Sequence, residues 1–348
     1  MNEELSYEHK VCVECFTYNQ SLYIEDALDG FCMQHTTFPY VCVIIDDAST
    51  DGEQKVLTDY LKRNFNLNDT SVVRNEDYVN YSLVYAQHKN NENCYFAVIF
   101  LKYNHYSKAL DKTPYFSEWH NNSKYLAFCE GDDFWIDSHK LQKQVDFLEV
   151  HTDYTMFFHN AIIRYENQTR PDRILSQFET GDFDTLLLFK KWQLPLASVL
   201  LRRQILDSPL LTELNKVYKG SFCLFITATK TGKVFGLSES LSVYRINDGG
   251  VSNKMHAWDI LDRRYKYAKV TKDDTIIKYV DSIALRRLIE VMPHYLLGNS
   301  EAKKLANVVK YHNKRVYYQS IIVFPLCFPK LVLDKIKSQY DKKKRSNR

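Results

Sequence analysis

Glycine and proline are scarce in this chain, 10 and 8 of 348 residues. That scarcity excludes collagen-like, low-complexity and linker-dominated architectures. No run reaches the roughly 18 uninterrupted apolar residues of a membrane span. The opening segment MNEELSYEHK is polar and acidic, without the apolar region of a secretion signal, so the sequence predicts a cytoplasmic protein. There is no G-x-G-x-x-G and no G-x-x-x-x-G-K-[ST], which removes the motif support for dinucleotide and P-loop chemistry. His151 and His159 have no HExxH-type neighbour. Cysteines number eight, but most stand singly inside apolar runs (Cys42, Cys94, Cys129, Cys223), where a reduced thiol behaves as a small hydrophobe. Cys12-x-x-Cys15 lacks a partner pair and, on a strand, would point to opposite faces, so core packing is expected of it rather than metal binding. One-signed charge is also lacking: the net charge is +3. Residues 330–348 carry six Lys, two Arg and two Asp, a net +6, so the rest sums to −3. A general nucleic-acid-binding surface is therefore not expected; a local basic tail is.

What is present is a foldable core: 45% hydrophobic residues, with 25 Tyr and 20 Phe. Residues 11–16 read as a buried strand ending at Thr17-Tyr18-Asn19-Gln20, with Ser21 able to cap a helix that uses Leu22, Ala27, Leu28 and Phe31. Residues 40–45 form a near-continuous apolar run, as parallel strands covered on both faces do. It stops at Asp46-Asp47-Ala48-Ser49-Thr50-Asp51-Gly52 and a helix with Val56, Leu57, Tyr60 and Leu61 follows. A short strand is predicted around 71–74, an apolar stretch at 95–101, and a polar aromatic loop at 104–122. Residues 125–129 give a strand ending at Glu130-Gly131-Asp132-Asp133, before a helix capped near Ser138 that uses Leu141, Val145 and Leu148. This alternation predicts a doubly wound α/β domain, with all three polar motifs at the carboxyl ends of strands, where ligands bind. Further on, strands are expected at 156–163 and 198–201, a helix at 218–231, a hairpin or two short strands at 234–245, and helices from Ala257.

The adjacent pairs Asp46-Asp47 and Asp132-Asp133 carry the chemistry. Neighbouring carboxylates resist burial unless a cation or strong donors compensate. A hard divalent cation held by one or two carboxylates and substrate phosphates is the usual solution; capping of the following helix is the alternative.

On these residues the chain resembles the family-2 glycosyltransferases, in the bacterial branch with an EGDD-W-D signature. The resemblance rests on Phe16-Thr17-Tyr18-Asn19, on Ile45-Asp46-Asp47-Ala48-Ser49-Thr50-Asp51-Gly52, and on the run from Tyr125 through Glu130-Gly131-Asp132-Asp133-Phe134-Trp135 to Lys140-Leu141-Gln142-Lys143-Gln144. It covers residues 10–60 and 125–150 well and the stretch between them loosely. It implies an α/β fold of GT-A type, a nucleotide-binding doubly wound mixed sheet, with a helical C-terminal extension. The implied domains are a GT-A domain at 8–252 (nucleotide-sugar half about 8–150, acceptor half about 151–252), a helical extension at 253–330 and a basic tail at 331–348. The implied function is transfer of a hexose or N-acetylhexosamine from a nucleotide-diphosphate donor, a UDP-sugar, to a surface-glycan or lipid-linked acceptor with inversion. The implied cofactor is Mn2+ or Mg2+. Asp47 would contact the base, Thr17, Tyr18 and Asn19 would line the nucleotide pocket, Asp132 would face the ribose or the metal, and Asp133 would bind the metal.

In the second half, Trp192-Gln193-Leu194-Pro195-Leu196-Ala197-Ser198 and Ser242-Val243-Tyr244-Arg245-Ile246-Asn247-Asp248-Gly249-Gly250-Val251-Ser252 resemble further family segments. Arg245 either approaches the diphosphate or makes a structural salt bridge. The family's general base falls at Ser221, which is no base at neutral pH by itself. A shifted alignment, a nearby carboxylate (Asp182, Asp184 or Asp248) or attenuated catalysis would each account for it; the last makes a sugar-nucleotide-binding scaffold the alternative function. The apolar residues 321–328 and the basic tail allow peripheral contact with the inner face of the cell membrane, against a packed final helix with a solvated tail.

Overall fold

The computed structural model describes residues 7–68, 73–167, 170–191, 194–247 and 256–326. It divides into two compact units: Met1–Leu211 with Ser221–Asp248, and Thr212–Gly220 with Gly249–Arg348. Thr212–Gly220 belongs with the second unit.

In chain order the first unit runs β1 (His9–Thr17), α1 (Ile24–Cys32), β2 (Tyr40–Asp46), α2 (Glu53–Asn64), β3 (Arg74–Asp77), β4 (Tyr81–Gln87), β5 (Cys94–Leu101), α3 (Ser117–Asn121), β6 (Ser123–Phe128), β7 (Phe134–Trp135), α4 (Lys140–Val150), β8 (Tyr154–Tyr165), β9 (Arg173–Ile174), β10 (Gly181–Asp182), α5 (Thr185–Lys191) and β11 (Leu200–Arg202). After α6 (Pro209–Val217), within which the division falls, come α7 (Ser221–Thr231) and β12 (Lys233–Ile246). One mixed sheet has the order β10-β12-β8-β11-β6-β1-β2-β5-β4-β3, with β7 on β12 and β9 on β8. Its centre, β6-β1-β2-β5, is parallel throughout. Every residue of β2 is buried, which is why that strand shows no alternation. The expected core thiols Cys12 and Cys15 are fully buried.

Several local expectations are corrected. Tyr23, not Ser21, precedes α1 and caps nothing with its side chain; the Ser21 N–H instead donates to Asp51 Oδ2 at 2.9 Å. Leu22, 85% exposed, is not on the buried face. His139, not Ser138, precedes α4. The strand expected around 71–74 begins at Arg74, with 71 and 72 outside the described residues, and β4 beside it was not foreseen. Residues 234–245 are no hairpin: they lie in the single strand β12, parallel to β8, with register irregularities between Leu237 and Ser242.

The second unit is helical: α8 (Ala257–Thr271), α9 (Asp274–Leu296), α10 (Ser300–His312) and residues 314–326. Asp273 caps α9 by accepting from the N–H groups of Thr275 and Ile276. Tyr265, Ile276, Val280, Ala284, Leu288 and Val309 are among its buried side chains. Among the described residues no helix is long and apolar enough to cross a membrane.

Candidate active site

Strands β2, β1 and β6 lie side by side with Thr17 opposite Asp46 and Glu14 opposite Phe128. Their following turns therefore leave the same edge of the sheet, and hydrogen bonds knit them together.

Asn19 adopts φ 54°, a left-handed conformation Asn tolerates. That turns its side chain onto the second loop: Oδ1 accepts from the Thr50 N–H at 2.7 Å, while its own N–H donates to Ser49 Oγ at 2.9 Å. Glu53, fully buried at the start of α2, gathers the rest. It accepts from the Gln20 N–H at 2.8 Å, from Ser49 Oγ at 2.9 Å and from the Thr17 hydroxyl. The expected pocket residues Thr17 and Asn19 thus meet the Asp46-Asp47 turn, and Tyr18 is exposed beside them.

The two acids of that turn differ. Asp46 folds back on its own loop, accepting from the Ser49 N–H at 3.3 Å and from Gln54 Nε2 at 2.5 Å; burial nevertheless pushes its carboxyl up. Asp47 reaches the loop after β5. Its Oδ1 accepts from the His105 N–H at 2.6 Å, and its Oδ2 from the Tyr106 N–H at 3.1 Å and Lys112 Nζ at 2.9 Å. Burial opposes its charge, but these donors prevail and hold the carboxyl below its ordinary value.

After β6, the Gly131 N–H donates to Phe16 O at 3.0 Å, pressing the third turn onto the first. A Cβ on Gly131 would stand 2.5 Å from Thr17 Oγ1 and 2.8 Å from Thr17 Cβ, so only glycine fits. Asp132 accepts from Asn247 Nδ2 at 3.0 Å and is also bonded by Gln20. Asp133, buried, accepts the Arg245 N–H at 2.9 Å. Burial pushes both carboxyls up, Asp133 further because it is more deeply buried and Asp132 also repels it. Glu130 has its own surface open to solvent, yet protein crowds it; that desolvation and then Asp132 push it to about 7.

Further motifs brace this turn from behind. Trp135 Nε1 donates to Ala197 O at 2.8 Å, Gln144 Nε2 to Ser198 O at 2.8 Å, and β7 pairs with Ser242 and Val243. Lys140 Nζ sits buried 4.1 Å from the Trp135 ring centre, and burial pulls it down to about 7. Trp192, Gln193 and residues 248–252, Asp248 among them, lie outside the described residues.

The Arg245 side chain is in ion pairs. Its guanidinium pairs with Asp26 and lies 3.1 Å from Glu166, the latter without hydrogen-bond alignment. Of the three carboxylates expected as base, Asp248 lies outside the described residues, and Asp182 and Asp184 are partnered away from the turns. Asp182 accepts from Tyr154 OH at 2.6 Å and pairs across from Phe235, ten residues along β12 from Arg245, roughly 30 Å at a strand's rise. Asp184 accepts the Leu187 N–H at 2.7 Å at the start of α5. Ser221 opens α7 and is exposed.

Among the described residues no three His, Cys, Asp or Glu side chains are grouped to hold a metal unaided. The donor set still fits a hard cation whose shell is completed by phosphates: Asp132 and Asp133 are adjacent, and burial drives both toward protonation.

The fold defines an α/β protein of GT-A type with a helical C-terminal region. Residues 1–349 of S. aureus TarS in complex with UDP share it with TM-score 0.51 and 15% identity, over 88% of this chain and 82% of that one. The same protein in complex with UDP-GlcNAc gives TM-score 0.52 at the same identity and coverage. In sequence, the chain is 28% identical over 235 residues to uncharacterized protein Rv1520 of Mycobacterium tuberculosis and uncharacterized protein Mb1547 of Mycobacterium bovis. That stretch is 68% of this chain and 58% of theirs, so the chain spans less than two thirds of those relatives' length. No family model matches the chain.

Proposed function

We propose that this chain is a family-2 glycosyltransferase that binds a UDP-sugar at the ends of β1, β2 and β6 and transfers a hexose or N-acetylhexosamine to a surface-glycan or lipid-linked acceptor. The convergence of the Thr17, Asp47 and Asp132-Asp133 turns carries this reading, and the UDP complexes of TarS, which shares the fold, support it. In this reading Asp47 recognises the base: a carboxylate accepts about four hydrogen bonds, and three are in use, leaving one for a ring N–H. Thr17, Tyr18 and Asn19 line the nucleotide pocket. Asp132 faces the ribose and, with Asp133, holds Mn2+ or Mg2+, which when bound supplies Lewis-acid neutralisation of the diphosphate. Asp133 keeps its orientation through the Arg245 N–H, and Gly131 keeps the turn against Thr17. Attack by an acceptor hydroxyl would break the bond between the anomeric carbon and the diphosphate oxygen, release UDP and invert that carbon, the hydroxyl's proton passing to a base. Contact with an anionic membrane through residues 321–348 would bring a lipid-linked acceptor near; exposure of Ile321, Ile322 and Leu326 supports it.

Transfer or donor hydrolysis with Mn2+ across a panel of nucleotide sugars tests the reading. The absence of both UDP binding and turnover would overturn it. The separation of Asp182 from the turns favours one second reading, a sugar-nucleotide-binding scaffold with attenuated catalysis. It requires UDP binding without turnover, restored in part by Ser221→Asp. Truncation after Pro329 should weaken liposome co-sedimentation; unchanged sedimentation would remove the membrane contact.

A further inference from the structure

The carboxyl end of β8 carries an acid outside the donor site. Glu166 follows Tyr165, and its N–H donates to Ile246 O on β12 at 3.2 Å. Arg245 joins it to the third turn: the main-chain N–H of Arg245 donates to Asp133 Oδ1 at 2.9 Å, and its Nε lies 3.1 Å from Glu166 Oε1. The ring of Phe134, the residue after Asp133, has the guanidiniums of Arg245 and Arg164 at 4.6 Å and 5.6 Å from its centre. Glu166, Arg164, Tyr165, Arg170 and Asp172 line an open cavity of about 400 Å³, a size typical of small-ligand pockets.

The Glu166 side chain keeps 28% of its surface exposed, yet Oε1 is buried. Its contact with Arg245 is an ion pair without hydrogen-bond alignment, and among the described residues no hydrogen bond reaches either carboxylate oxygen. A carboxylate has room for about four donors, and a buried oxygen left without any is costly and calls for a reason. The neighbouring acids differ: the Arg245 guanidinium hydrogen-bonds Asp26, and Arg164 Nε donates to Asp172 Oδ2 at 3.2 Å. Of these three acids, Glu166 is the one that no hydrogen bond engages, and it faces the cavity beside the metal-binding turn.

Resting on the donor site assigned to the three turns, we propose that this cavity receives the hydroxyl-bearing acceptor and that Glu166 is the base for its hydroxyl. The acceptor oxygen attacks the anomeric carbon while the Glu166 carboxylate takes its proton. The bond from that carbon to the diphosphate oxygen breaks, and UDP leaves with the bonding electrons. Glu166, now neutral, returns the proton to solvent through the open cavity. Asp182, Asp184 and Ser221 have no part in this proton transfer.

The test is UDP-sugar hydrolysis by the full chain with Mn2+, water standing in for the acceptor, in wild type and in Glu166→Gln, whose amide fills the same space but takes no proton. The expected result is a fall in kcat of about 10²–10³-fold. The donor KM and the Mn2+-dependent UDP affinity should stay within about threefold of wild type. Glu166→Asp, with the carboxylate on a shorter stem, should recover part of the loss; should the Gln variant fail to fold, Glu166→Asp decides, its kcat falling more than its UDP affinity. An unchanged kcat in Glu166→Gln overturns the proposal. So does an equal loss of kcat and UDP affinity, which would mark Glu166 as mere support for Arg245 and Asp133. A wild-type chain that binds UDP without turnover overturns it and leaves the donor site standing, whereas absence of UDP binding overturns the donor site and this assignment with it.

Discussion

In the parallel half of the sheet, Asp47 after β2 and Asp133 after β6 are bound by residues far off in sequence, while Asp46 folds back on its own loop. Asp47 is met by His105, Tyr106 and Lys112, and Asp133 by Arg245. In the half built from β8, β12 and β10, Asp182 meets Tyr154 on the adjoining part of the sheet and Asp184 the Leu187 N–H of its own helix start, both away from the three turns. Both halves offer carboxylates, but only the first holds them where three turns meet. Adjacency in sequence is thus a weaker guide to chemistry than position at the carboxyl end of a parallel strand.

Substitutions can break this comparison. The largest effect is expected from Asp133→Asn, whose amide oxygen still accepts the Arg245 N–H while the charge is lost. Metal-dependent UDP binding or turnover should fall about 10²–10³-fold with the melting temperature nearly unchanged, checked by calorimetry and thermal unfolding.

Next is the far end of β1, where burial pulls His9 down to about 4. Its folded value lies below the unfolded 6.5, so the unfolded chain takes up the proton first as pH falls. Stability is therefore fully present above about pH 6.5 and lost toward pH 4, by on the order of 3 kcal/mol. His9→Phe should flatten that part of a denaturation-versus-pH curve and leave UDP binding at pH 7.5 intact, separating scaffold from site.

Gly131→Ala forces a methyl group against Thr17 and should cost about 1–3 kcal/mol, measured by urea unfolding, with weaker UDP binding. Asp182→Asn should change turnover less than about twofold, since only the Tyr154 contact is altered; a large loss would return Asp182 to the chemistry and dissolve the contrast between the halves.

How much of this was legible follows the range of the interactions. β1, β2 and β6 announce themselves as apolar runs cut off by Thr17-Tyr18-Asn19, Asp46-Asp47 and Glu130-Gly131-Asp132-Asp133, because a buried parallel strand needs no alternation. Glu53 was missed: it reads as an ordinary first-turn acid, and two of its donors come from the Thr17-Gln20 turn over thirty residues earlier. The loop carrying His105 and Lys112 shows no periodicity, so its closure over Asp47 had no local signal. β12 reads as two strands because Ser238-Glu239-Ser240 interrupts its apolar pattern, an interruption the sheet absorbs as irregular register. Ser138 and Ser21 failed as caps because local rules place a helix start only to within a few residues.

The most direct measurement is a crystal structure with UDP and Mn2+. The expected result is the diphosphate and metal beside Asp132 and Asp133, with the base in contact with Asp47. Nucleotide bound elsewhere, or a metal held without either carboxylate, would contradict the assignment of these three turns as the donor site.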